Sequence, residues 1–344
     1  MPFDQDQVCL PRPEALRLRE HRCLLPAVPA LLVFALAGGL FELLAFDLAG
    51  AAALVRAHLP EPGTSDAAFL LREGEARMFW SVSALVYLAV GLAGAAACAD
   101  VAWQSVRGRC LAGFAAVGMV LAAASAAQII AAGHGGWALA GIYTFTRDSL
   151  HAAGVLSPDG LAAVRWVLGV INGFSTLVPV VALIAGCTIL APPSPGAARR
   201  PDDVARQMRL LRELLNAASA IMVVGVLHMM SWLRWPAALV EDAGVREAVN
   251  KLALAVTFYW GTTFSLMIAA FYIPAAVWLS RRGEAAIRAA AREKPDLDCD
   301  KWLRERGLSV MPARQLPQLF VMLAPLLAGP LGSAITGFAG GFGG

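Results

Sequence analysis

Six long apolar stretches dominate the pattern of hydrophobic and polar positions along the chain. Each is close to the ~20 residues that a helix needs to cross the hydrocarbon core of a bilayer. Arg, Pro or Gly residues flank every stretch and mark the ends of the predicted helices. The stretches are 23–44, 78–98, 110–133, 166–191, 214–233 and 252–279. This pattern predicts an all-α, polytopic integral membrane protein with about six transmembrane helices.

The overall composition agrees with a membrane protein. Of the 344 residues, 58% are hydrophobic and 15% are charged, and the mean hydropathy is +0.62. A soluble domain is typically about half apolar and a quarter charged. The net charge of +3 is small, and the basic residues flank apolar stretches, so we expect no nucleic-acid partner. The lipid bilayer is the expected partner.

The distribution of basic residues predicts the orientation of the helices. With the N-terminus inside, the inner segments carry 20 of the 28 Lys and Arg residues and the outer segments carry 8. Because inner loops are enriched in Lys and Arg, we expect both termini in the cytosol. Trp80, Trp166, Trp232 and Trp235 then fall at outer helix ends, where tryptophan is common. The preference for Arg over Lys and the abundance of Ala are typical of GC-rich bacterial genomes, so we expect the bacterial inner membrane.

The segments between the stretches divide the chain into six regions. We expect a cytosolic segment at 1–22, a four-helix membrane region at 23–191, a linker at 192–201, a helical hairpin with cytosolic extensions at 202–294, a basic segment at 295–315 and an apolar tail at 316–344. Outer loops contain short apolar-periodic pieces at 51–59 and 146–156, which predict short interfacial helices. The paired extensions of the hairpin suggest a docking site for a cytosolic protein partner.

The tail at 316–344 is apolar, carries no charge and is rich in Pro and Gly. Its two apolar runs are each too short to span a bilayer, and Gly329 and Pro330 between them predict a turn. Three arrangements remain open: a segment lying on the membrane, a re-entrant hairpin and a seventh span. Non-helical backbone at membrane depth needs burial against protein.

Two ionisable residues lie within the predicted spans. Glu42 lies near the outer end of the first span, and His228 lies about two thirds of the way through the fifth. Ionisable groups in a membrane are candidate functional groups by default. His228 fits either a packing role or a ligand for haem or metal, or a proton relay. No CxxC or similar ligand spacing is present, so we predict neither a metal site nor a cofactor.

Uncharged polar residues recur at helical spacing on several predicted spans. Such faces either pack helices closely or line a solute path. The pore or solute-path candidates are Gln128, Asn172, Ser175, Thr257, Gly261 and Ser265. Pro179 and Pro274 interrupt two of the same spans, and broken helices occur at transporter sites.

These patterns favour a self-associating channel or pore-forming membrane effector that is gated from the cytosolic side. The alternatives, in order, are a secondary transporter of a small solute, a redox subunit using His228, and a non-catalytic scaffold subunit. The chain contains no HExxH, P-loop or GxSxG motif, so we do not expect an enzyme. No motif identifies a family.

Overall fold

The structure of the protein, a computed structural model, describes residues 21–44, 48–60, 67–106, 108–135, 138–191, 201–293, 298, 301–303 and 312–341. These residues form helices and no β-strand, which confirms the all-α prediction. A short 3-10 helix (His21–Leu24) precedes the helices of ten residues or more in the described part. They are α1 (Ala27–Leu43), α2 (Leu48–Ala57), α3 (Ala67–Ser105), α4 (Gly108–Gly135), α5 (Ala138–Ala153), α6 (Pro158–Leu190), α7 (Pro201–Ala238), α8 (Ala243–Glu293) and α9 (Pro312–Gly341).

Five of the six predicted spans are helices that are long and apolar enough to cross a membrane. They are α3, α4, α6, α7 and α8. The first predicted span contains α1, which is shorter at 17 residues. The linker 192–201 and the segment 1–22 lie almost entirely outside the described residues, and of 295–315 only 298, 301–303 and 312–315 are described.

Several helices are longer than the apolar pattern alone predicts. Helix α3 begins at Ala67, ahead of the expected start at 78, because Glu73 and Arg77 form an ion pair one turn apart that extends the helix into polar sequence. Helix α7 begins at Pro201 and α8 continues to Glu293, so both are helical well beyond their apolar stretches. The two predicted short helices are also present, as α2 and α5.

Helix α7 lies at the centre of the fold. It packs against α3, α5, α6, α8 and α9. Helix α4, in contrast, packs mainly against α5 and α6. One end of the bundle buries Cys23, Cys98 and Cys187 in a common apolar cluster. We call this the cysteine end. The opposite end buries Trp80 and Trp235, and we call it the tryptophan end.

Prolines inside the helices determine where two interhelical hydrogen bonds form. Proline has no N–H, so the carbonyl four residues earlier loses its partner in the helix. Pro236 releases the carbonyl of Trp232, and the Thr146 hydroxyl on α5 donates to it at 2.8 Å. Pro325 releases the carbonyl of Val321 in the same way, and Ser219 Oγ on α7 donates to it at 2.5 Å. The two bonds join α5 and α9 to the central helix.

The tail does not turn at Gly329 and Pro330, so this prediction is wrong. Helix α9 continues through both residues from Pro312 to Gly341. Its Leu326 N–H donates to Ser265 Oγ on α8 at 3.1 Å, and Gly329 lies against Thr257. These contacts pack α9 along α8 through the segment that contains Pro325 and Pro330, so tertiary contacts hold this segment helical.

Helix α9 runs parallel to α7 and in step with it. Val321 lies beside Ser219, and Gly332 lies beside Met230, so both helices advance by 11 residues between these contacts. At this register α9, which ends at Gly341, reaches the same level as α7, which ends at Ala238. The helix therefore extends from the cysteine end to the tryptophan end.

Replacing the donor to a proline-released carbonyl should destabilise the fold in a way that depends on the proline. We expect Thr146→Val to lower the free energy of unfolding by about 1 kcal/mol, because the carbonyl of Trp232 is left buried without a partner. In a Pro236→Ala background residue 236 supplies its own N–H, so the same change should cost less than half as much. Denaturant unfolding of the four proteins in detergent measures both costs. Equal costs in the two backgrounds would contradict this role of the proline.

Candidate functional site

The pore candidates on α8 form a buried strip against α9. Thr257 is completely buried and Ser265 is 4% exposed. A Cβ atom added to Gly261 would lie 2.5 Å from the carbonyl oxygen of Pro325, so the two backbones approach as closely as glycine permits. The Thr257 hydroxyl donates to Ala253 O of its own helix at 2.8 Å. In this structure the strip is a helix-packing surface.

The other pore candidates lie on the α4–α6 pair, away from this strip. Helix α4 runs from the cysteine end to the tryptophan end, and α6 runs the opposite way, with Gly118 beside Ile184. Counting along both helices from this contact, Gln128 lies on α4 at the level of Asn172 and Ser175 on α6. The side chain of Gln128 is outside the described residues. The six candidates therefore divide into two groups on different sides of the fold.

The α4–α6 pair carries polar and small residues on an exposed face. Only 6% of the apolar window of α4 is buried. Ser175 is exposed, and its hydroxyl donates back to Asn172 O at 2.9 Å. The side-chain amide of Asn172 is half-buried and has no hydrogen-bond partner among the described residues. The exposed residues of α4 include Val117, Met119 and Val120 and seven alanines: Ala112, Ala115, Ala116, Ala123, Ala124, Ala126 and Ala127.

Glu42 has a structural role at the tryptophan end. Its two carboxylate oxygens accept hydrogen bonds from the N–H groups of Ala138 and Leu139 at 2.8 and 3.0 Å. These are the first two residues of α5, whose N–H groups have no partner within the helix. The carboxylate also lies at the positive end of the helix dipole. Glu42 therefore joins the end of α1 to the start of α5.

His228 connects α7 to α3 through hydroxyl groups. Its Nδ1 lies 3.0 Å from Ser83 Oγ, which in turn lies 2.6 Å from Ser231 Oγ. The ring of Tyr87 stacks on the imidazole at 5.9 Å, and Trp80 lies at 6.1 Å. Nε2 is buried without a hydrogen-bond partner among the described residues. This environment suits a packing histidine, and the described residues contain no cluster of three or more His, Cys, Asp or Glu side chains suited to a metal.

A charged and aromatic network at the tryptophan end was not apparent in the sequence. Glu73 is 3% exposed, pairs with Arg77 at 2.6 Å and accepts a hydrogen bond from Trp235 Nε1 at 3.3 Å. Trp80, Trp232 and Trp235 are buried against one another, so they do not form the headgroup-facing belt that their positions suggest. The sequence signal for this network is the four-residue spacing of Glu73 and Arg77, which favours an ion pair on a helix. The pair lies in a segment that hydropathy assigns to a loop.

The fold and these sites define an all-α protein with several apolar helices, which suggests a membrane-embedded, multi-pass protein. No protein family, curated protein or solved structure matches the chain. The class therefore follows from the helices alone.

Introducing a methyl group at Gly261 should displace α9. We expect Gly261→Ala to lower the free energy of unfolding by about 1–3 kcal/mol, since the new Cβ would overlap the carbonyl of Pro325. Gly39→Ala on α1 is a matched control, because an added Cβ there meets no atom within 4 Å and alanine favours a helix by up to about 1 kcal/mol. Thermal unfolding in detergent compares the two. A Gly261→Ala protein as stable as the control would show that α9 does not pack on this strip.

Proposed function

We propose that the protein is a multi-pass protein of the bacterial inner membrane that assembles into a channel gated from the cytosolic side. The observation that carries this proposal is the exposed α4–α6 face, where alanines lie beside polar side chains. Lipid-facing helix surfaces have no need of small or polar residues, whereas helix–helix interfaces in membranes are enriched in both. A second copy of the chain is the partner that supplies the missing contacts.

The polar residues of this face support a conduction path between subunits. Gln128, Asn172 and Ser175 lie at one level of the α4–α6 pair. The amide of Asn172 would lack a partner in lipid, which is costly for a polar group. Subunits that meet around a common axis bring these groups together from several chains. Amide and hydroxyl groups arranged in this way replace the hydration shell of a small solute or ion.

The cytosolic extensions of α7 and α8 are the proposed gating elements. Both helices continue beyond their apolar windows at the cysteine end, where Val204, Met208 and Ile287 form a buried apolar core. Because α7 also contacts α3, α6 and α9 within the bundle, a cytosolic partner that tilts the extensions moves the helices that support the α4–α6 pair. This continuity supports gating by a protein partner.

We infer seven crossings instead of six. The 3-10 helix and α1 together reach from Cys23, in the cluster at the cysteine end, to Glu42 at the tryptophan end. Helix α9 reaches both ends in step with α7 and carries no charge after Arg314. The N-terminus then lies in the cytosol, as expected, and the C-terminus lies outside, in contrast to the sequence-based expectation of a cytosolic C-terminus.

A second candidate function is a scaffold subunit without activity of its own. It is favoured by the strip on α8, where the hydroxyls of Thr257 and Ser265 already have hydrogen-bond partners within the chain. A transporter has less support, because α6 and α8 continue through Pro179 and Pro274 without a break. A redox role has less support because aromatic rings pack against His228.

The seven-crossing topology predicts that the C-terminus is accessible from outside. An epitope tag appended after Gly344 should bind antibody in spheroplasts that retain an intact inner membrane. A tag placed before Met1 is the matched control and should bind only after the membrane is opened. Labelling of the C-terminal tag only in opened membranes would leave α9 as a helix that does not cross.

The channel predicts that residues of the α4–α6 face are near a neighbouring subunit and accessible to water. In a chain whose native cysteines are replaced, Ser175→Cys should form intermolecular disulfides on mild oxidation, and so should Ser125→Cys, at a half-buried residue one turn before Gln128 on α4. They should also react with a charged thiol reagent and reduce ion leakage from liposomes once modified. Phe320→Cys is the control. Phe320 is 68% exposed and lies on α9, which packs on α7 and α8, so it is not part of the α4–α6 face.

Each outcome assigns one function. Crosslinking, reagent access and a leak that the reagent blocks support the channel. Crosslinking without access or leakage supports the scaffold. If neither position crosslinks more than Phe320→Cys, the α4–α6 face is not a contact between copies, and the channel proposal is wrong.

A further inference from the structure

A cleft between α5 and the start of α6 contains a set of charged residues that the proposed channel does not use. Its volume is about 290 Å³, which is at the lower limit for a small-molecule site. Arg147 and His151 on α5 and Arg165 on α6 form its basic side, together with one carboxylate, Asp148. Two permanent cations against one anion leave the cleft with a net positive charge.

The two arginines differ in how they are held. Arg147 binds Asp148 through Nε and Nη2 at 2.9 and 2.8 Å, and its guanidinium lies over the ring of Tyr143 at 5.4 Å. This arrangement orients the group, which is 44% exposed, and leaves Nη1 available as a donor. Arg165 forms no hydrogen bond or ion pair with another described residue. The cleft therefore presents one positioned guanidinium and one that is ready to bind an anion.

The remaining lining of the cleft is apolar. Leu150 is completely buried and Leu168 is 4% exposed, and Leu161 and Val164 complete the apolar wall. Trp166, which follows Arg165, is 72% exposed at the same end of α6. An exposed tryptophan beside arginine is typical of the level of the lipid headgroups. The cleft thus places the half-buried side chains of Leu161 and Val164 beside its basic residues.

We propose that this cleft binds an anionic phospholipid of the adjoining leaflet, with its phosphate diester between Arg147 and Arg165. Guanidinium groups bind phosphate oxygens through paired, charge-assisted hydrogen bonds. Leu161 and Val164 provide apolar contact for the start of an acyl chain, which a soluble phosphate compound lacks. This site rests on the membrane placement in the proposed function and not on channel activity.

The test counts lipids bound to the purified protein in detergent by native mass spectrometry. The protein is titrated with phosphatidylglycerol, with phosphatidylcholine and with soluble glycerol phosphate. We expect phosphatidylglycerol to bind preferentially. In the double variant Arg147→Gln, Arg165→Gln its affinity should fall by about tenfold or more, since each charged hydrogen bond lost weakens binding by about that factor. Arg56→Gln, at an exposed arginine of α2 outside the cleft, is the matched control and should bind as the unaltered protein does.

A second variant keeps the test informative if the double variant folds poorly. Asp148→Asn removes the carboxylate that competes for Arg147, so it should bind phosphatidylglycerol more tightly than the unaltered protein. Equal binding of the two lipids, or equal losses in the cleft and control variants, would overturn the proposal. Glycerol phosphate that binds as tightly as the lipid would instead identify a soluble anion as the ligand.

The lipid count tests this site, and the leakage assay tests the channel, so each proposal can be rejected without the other. A protein that prefers phosphatidylglycerol but forms no leak rejects the channel and retains this site. A protein that conducts ions without lipid preference rejects this site alone.

Discussion

In the apolar interior of a bilayer no water is available for an unpaired backbone carbonyl or N–H group, so every helix that contains proline needs a donor from elsewhere. At Pro236 and Pro325 the structure meets this requirement with hydroxyl groups on neighbouring helices. Thr146 donates to the carbonyl that Pro236 releases, and Ser219 donates to the carbonyl that Pro325 releases. Each bond connects a peripheral helix to α7. The central position of α7 therefore depends on a backbone constraint as well as on apolar packing.

The same lack of water explains why the carboxylate buried at the tryptophan end has partners. Glu73 lies among tryptophan rings, and its carboxylate is bound by Arg77 and by Trp235 Nε1. The Glu73 side chain is 4% exposed whereas Arg77 is 40% exposed, so removing Arg77 would leave a buried carboxylate without its ion-pair partner. His228 is held in a comparable way by Ser83 and by the stacked ring of Tyr87. These contacts join α3 to α7 at a level where hydrophobic packing alone would not select one register.

The surface of the molecule divides into two kinds. The outer faces of α1 and α9 are rich in exposed leucine, including Leu36 at 65% and Leu331 at 58%, which is the composition that lipid contact favours. Alanine is the commonest exposed residue in the described part of α4, where Val117, Met119 and Val120 are also exposed, and the neighbouring α6 presents Ser175 and Leu177. Van der Waals packing between helices in a membrane depends on close approach, which small side chains permit. This contrast is the physical basis for assigning subunit contacts to α4 and α6.

The hydropathy pattern alone determined the all-α class and five of the long apolar helices, because a bilayer requires about 20 apolar residues in succession whatever the tertiary contacts are. It also predicted the extensions of α7 and α8 and the short helices α2 and α5, because helical periodicity is local. Only the tertiary structure decided the course of the tail. Gly329 and Pro330 favour a turn in isolation, but Ser219, Gly261 and Ser265 provide a surface on which the helix continues. The tertiary structure likewise decided that Thr257 is buried and Ser175 is exposed. The two hydroxyl residues look alike in the sequence, and their exposure depends on whether another helix packs beside them.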